Sequence, residues 1–122
     1  MIFRQGDILQ GKNRQKNAAR HYIIYMGPRD KSSFIGGMLT SAGHYDNNIC
    51  LNESHFEHSD TSGVPYKIKY NNSHLVKRRF IKLETWGPFT LVGKLTPKGL
   101  RFVKKQTSGF VIVTWEDYLS GL

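Results

Sequence analysis

Five residues of this chain have side chains that could share one piece of chemistry: Arg20, His21, Thr40, Ser41 and His44. A guanidinium grips two phosphate oxygens through its planar fork, and a hydroxyl can donate a third hydrogen bond. Cutting RNA without a metal needs a group that takes the 2′-OH proton and one that returns a proton to the leaving oxygen. It also needs a cation facing the charge that gathers on phosphorus. Arg20 suits that last role, Thr40 with Ser41 would hold the phosphate, and His21 and His44 are the titratable groups for proton transfer. Lys12, Arg14 and Lys16 stand in the loop before Arg20, and Lys77-Arg78-Arg79 form a second basic run that could track an RNA backbone. Three successive cations on a strand cannot all point to one face, so part of that run must meet the fold or an interface.

The elements around these residues read mostly as strands. Gly6–Gln10 is a short first strand, residues 11–20 a polar basic loop, and His21–Met26 (HYIIYM) a β-branched and aromatic strand. Gly27-Pro28-Arg29-Asp30 reads as a turn, and Phe34–Thr40 as the returning strand of a hairpin. That hairpin would set Arg20 beside Thr40. Two mid-strand glycines, Gly36 and Gly37, fit where a backbone bends or is closely approached. Further strands are expected over Asn48–Leu51, Tyr66–Tyr70, Leu75–Leu83, Phe89–Leu95 and Phe110–Thr114. Thr96-Pro97 is a hydroxyl cap followed by a first-turn proline, which starts a helix over about residues 97–106 with Leu100 and Val103 inward. Lys98, Arg101, Lys104 and Lys105 fall on its outer side, and Thr114 could cap a closing turn at 115–119. Many short strands with few helices point to a small antiparallel barrel or a sandwich.

Composition sets the outer bounds. The chain has 122 residues, 39% of them apolar and 12% aromatic, which fits one folded domain, residues 1–122. Its net charge of +9 favours polyanionic partners. No apolar run reaches membrane-spanning length, and residues 1–4 show no signal-peptide core, so a cytoplasmic protein without membrane contact is expected. The lone Cys50 excludes an internal disulfide and fits a reducing compartment. No cofactor is expected, because no P-loop or dinucleotide fingerprint is present. Cys50, His55 and His58, with His44 nearby, match no strong zinc spacing, so no metal site is assigned. Cys50 itself, set between Ile49 and Leu51, reads as an inert thiol in an apolar strand.

The order of Gly6-Asp7-Ile8, the basic residue and apolar strand from Arg20 to Met26, Met38-Leu39-Thr40-Ser41 and Gly93-Lys94-Leu95-Thr96-Pro97 resembles the MazF/PemK-like toxins of toxin–antitoxin modules. The resemblance spans about residues 4–106 and leaves a C-terminal extension from about 107. It implies a mainly β, SH3-like antiparallel barrel and a homodimer. It also implies a metal-independent endoribonuclease that cleaves single-stranded RNA and is neutralised by an antitoxin protein. By position it places the catalytic arginine on Arg20 and the catalytic threonine on Thr40. Two positions depart from the family pattern: His21 stands where proline is usual, and Lys82 where PemK-type members carry an aspartate. Those departures keep a second expectation open, a non-catalytic SH3-like barrel that binds nucleic acid or a protein partner.

Overall fold

The computed structural model describes residues 3–11, 22–40, 48–68 and 73–121. Five strands, β1 (Asp7–Gly11), β2 (Tyr22–Asp30), β3 (Ser33–Thr40), β5 (His74–Leu83) and β6 (Phe89–Lys94), form the body of one sheet. Two-residue strands add at its margins, β4 (Ile49–Cys50) and β7 (Ile112–Val113), and two helices, α1 (Pro97–Thr107) and α2 (Trp115–Ser120), complete the chain. The strand path runs β4-β5-β3-β2-β1-β6, and β7 lies parallel to β5.

Strand periodicity sends alternate side chains to opposite faces. Ile8, Ile24, Leu39 and Leu75 enter one core, under Leu100, Phe102 and Val103 of α1. Leu9, Ile23, Met38 and Val76 enter a second core with Phe34, Phe80 and Phe89. That core is covered by Phe3 and by Val113, Trp115 and Tyr118 of the C-terminal segment.

The expected SH3-like barrel is not formed. Among the described residues no pairing joins β4 to β6, so the seven strands make an open sheet in a mixed α/β fold. Closure is one way to hide sheet faces and edges; helices over the faces and chain along the edge are another. Here helices cover both faces. Along β6, the Glu57 N–H donates to the Lys94 carbonyl at 2.9 Å and the Ile68 N–H to the Val92 carbonyl at 3.3 Å. Phe56 also bridges to Leu95. The edge is therefore blunted without closure.

The two strand glycines have separate jobs. A Cβ on Gly36 would lie 2.8 Å from Ile23 Cγ2 and 2.9 Å from Lys82 Cγ, so the close approach needs its bare backbone. Gly36 pairs with Phe80 and Met38 with Val76, leaving Gly37 opposite all three of Lys77, Arg78 and Arg79. This is a bulge, and it carries the basic run.

Helix α1 begins as its sequence predicts. Thr96 caps it by accepting the Gly99 N–H at 3.0 Å, Pro97 occupies the first turn, and Lys104 and Lys105 sit in the last. Three elements differ from expectation. β2 continues through Gly27-Pro28 to Asp30: Gly27 pairs with Ile35 and Pro28 with Phe34, and register shifts on either side take up Met26 and Arg29. The turn moves to Lys31-Ser32, where Asp30 Oδ1 accepts the Ser32 N–H at 2.9 Å and the Ser33 hydroxyl at 2.8 Å. Tyr66, Lys67 and Ile68 belong to no strand, with Lys69 and Tyr70 outside the described residues, and the expected strand at 110–114 shrinks to Ile112–Val113. No helix among the described residues is long and apolar enough to cross a membrane.

Candidate nucleic-acid interface

Arg20, His21, Ser41 and His44, with the loop cations Lys12, Arg14 and Lys16, lie outside the described residues. Thr40 ends β3 and is only 9% exposed. It pairs with His74 of β5, which pairs with Cys50 of β4, so a hydroxyl, an imidazole and a thiol stand in one row across three strands. His74 Nδ1 is buried without a hydrogen-bond partner among the described residues. Cys50 is exposed and donates weakly to the Leu51 carbonyl at 3.4 Å. The expectation of an enclosed thiol is corrected, since β4 is the margin of the sheet and leaves that side chain open.

Lys77, Arg78 and Arg79 are half-buried on the β5 bulge. The bulge turns the two arginines onto the C-terminal segment. Arg79 donates from Nε to the Phe110 carbonyl at 3.1 Å, with a second bond from Nη2 to the same oxygen. The Arg78 guanidinium lies 4.2 Å from the Phe110 ring centroid and 5.8 Å from that of Tyr118. Arg78 Nη1 also donates to the Lys77 carbonyl at 2.7 Å. Neither arginine has a carboxylate among the described residues within salt-bridge reach, so both positive charges face neutral groups.

Among the described residues an exposed basic surface lies on α1. Lys98, Arg101, Lys104 and Lys105 are all exposed, while Gly99, Val103 and Thr107 on the opposite side are buried. Positions three, four and seven apart on a helix share a face, so the cations form a stripe. The helix carries no acidic residue. Lys104 Nζ donates to Gln5 Oε1 at 2.8 Å, and none of the four cations meets a described carboxylate within 4.0 Å. The helical spacing alone places these four on the outer side of α1 and assigns them no role.

His55 turns out to be structural, and His58 is exposed. His55 is 4% exposed, stacks on Phe102 at 4.5 Å between centroids, and accepts the Asn52 N–H on Nδ1 at 3.1 Å. Burial, with the Lys98 charge adding to it, lowers its pKa and keeps the imidazole neutral. His58 faces Glu53 at 3.8 Å. Among the described residues no three histidine, cysteine, aspartate or glutamate side chains are grouped to hold a metal ion.

No family model, curated protein or solved structure matches the chain. The MazF/PemK resemblance is therefore withdrawn, together with the toxin and the endoribonuclease it implied, because the barrel on which all three rested is an open sheet. Its short motifs have local explanations. Asp7 accepts the Arg4 N–H at 2.9 Å and faces Lys94 at 4.0 Å, which fastens the start of β1. Thr96-Pro97 is a helix start, a device that any fold can use.

Proposed function

We propose that the protein binds single-stranded RNA through the phosphate backbone. The observation that carries this reading is the α1 stripe: four exposed cations on one short helix with no acid among them. A net charge of +9 extends the same bias over the whole chain and would draw a polyanion from a distance. Phosphate contacts supply most of the affinity of such binding and are insensitive to sequence. The large apolar side chains exposed among the described residues are Val64, Leu83, Leu91 and Val111, all aliphatic, which favours backbone contact over base stacking at these positions. A flexible single strand can also follow cations on different elements, from α1 to the β5 bulge, which a rigid duplex meets less easily.

The test is a charge reversal. Lys98→Glu combined with Arg101→Glu changes two exposed side chains and should leave the far-ultraviolet spectrum and melting temperature unchanged. Affinity for a labelled uridine homopolymer at moderate salt is expected to fall by roughly tenfold or more. Unchanged affinity in a folded variant would overturn the assignment.

A further inference from the structure

The arginines of the β5 bulge are basic groups that the fold spends on itself. Arg79 holds a main-chain carbonyl and Arg78 covers two rings, all three acceptors belonging to Phe110 and Tyr118. We propose that residues 110–120 are an internal strap over a phosphate site made by Arg78 and Arg79, and that RNA displaces the strap; this rests on the RNA-binding reading above.

Several observations make the strap removable. Its sheet attachment is two residues long, with Ile112 beside Arg79 and Val113 beside Phe80 in parallel register. The helix that follows is six residues. Val113, Trp115 and Tyr118 pack on the second core while only half-buried, and Val111 is 75% exposed. The strap enters through Ser108 and Gly109, both exposed, with Gly109 at φ 86° in a conformation that favours glycine. A segment with so few enclosed contacts belongs to the low-stability end of a fold.

Chemistry favours the exchange. A guanidinium bonded to a neutral carbonyl makes a weaker contact than the same fork on a phosphate, where both partners are charged and two parallel bonds form. Residues 108–122 carry Glu116 and Asp117 and no basic residue. A phosphodiester approaching the bulge therefore attracts the two arginines and repels the strap, an effect that weakens as salt rises. The strap in place lowers the fraction of protein ready to use this site, and so lowers apparent affinity by that fraction.

Trp115 makes the exchange visible. It stacks on Tyr118 at 5.4 Å and packs on Phe80 at 5.5 Å between ring centroids. The chain has two tryptophans, so Trp86→Phe leaves Trp115 as the sole reporter. The full chain is titrated with a uridine homopolymer, and RNA anisotropy, Trp115 emission and amide exchange at residues 112–118 are followed together. The unsubstituted chain supplies the exchange data, so that readout does not depend on the variant. At saturation the Trp115 emission should move to the red and amide exchange should accelerate about tenfold or more. Phe110→Ala, which removes the ring under Arg78, should tighten RNA binding by about threefold or more. RNA that binds while emission and exchange stay unchanged overturns the strap and leaves the binding reading standing. Phe110→Ala with equal or weaker affinity counts against the strap as well. A chain that does not bind RNA at all overturns both.

Discussion

On one face of the sheet Ile8, Ile24, Leu39 and Leu75 lie beneath an eleven-residue helix; on the other, Leu9, Ile23, Met38 and Val76 lie beneath Phe3 and a six-residue one. The first face is closed by side chains such as Val103, at 0% exposure, and its helix turns every cation outward. The second is largely aromatic, with half-buried rings over Phe34, Phe80 and Phe89. It also has cations within it: Arg78 and Arg79 beneath the C-terminal segment, and Lys82 at 4% exposure with Nζ 5.2 Å from the Phe80 centroid. The more completely buried side chains concentrate stability under α1. Partial aromatic cover above positive charge leaves a face that can change state when a better anion arrives.

The largest effect should come from opening the α1 face. Leu75→Ala removes a side chain with no solvent exposure and should cost about 2–5 kcal/mol in urea denaturation. Trp115→Ala on the half-covered face should cost less, about 1–2 kcal/mol. The reverse order would break the contrast between the faces. Next comes Gly99→Ala. Alanine is the better helix former by about 1 kcal/mol, yet its Cβ would run into the His55 carbonyl, and crowding of this kind costs about 1–3 kcal/mol. A stabilised Gly99→Ala protein would show that α1 does not sit tightly on Glu53–His55.

A smaller effect concerns pH and sharpens the same contrast. The folded state lowers the His55 pKa below its ordinary 6.5, so the unfolded chain takes up that proton first. Stability on this account is fully present at neutral pH and declines as pH falls below about 6.5, with the loss levelling off once the folded-state pKa is passed. His55→Gln keeps an acceptor for the Asn52 N–H at the same capping position without titrating there. The urea midpoint of the unsubstituted chain should therefore fall more between pH 7 and pH 5 than that of His55→Gln. Parallel pH profiles would remove His55 from the account.

What the sequence made legible was local. The α1 start could be read because a cap and a first-turn proline act within four residues, and Thr96 does bond Gly99. Gly36-Gly37 marked a bend or a close approach, and the structure shows the close approach at Gly36. The barrel expectation failed because closure depends on what covers the two faces and the margins, which is settled by contacts distant in sequence. Residues 110–118 carry no apolar period that announces them as the lid of the second core. The partner of Arg79 lies 31 residues away at Phe110, so a cation run that read as RNA-facing is found holding its own chain. Cys50 looked enclosed because Ile49 and Leu51 flank it, and its openness follows only from β4 being the last strand on that side. Of the candidate residues for phosphate chemistry, Thr40 and the bulge cations fall within the described structure, while the sequence places the α1 cations only on the outer side of their helix.

The most direct test of the central claim is the salt dependence of RNA binding, measured by anisotropy with a labelled uridine homopolymer over a salt series. Log K should fall linearly with log salt, with a slope of about −3 or steeper at about −0.7 per phosphate contact. Lys98→Ala with Arg101→Ala should make that slope shallower by about 1.4. Binding that ignores salt, or a slope that the double substitution leaves unchanged, would contradict it.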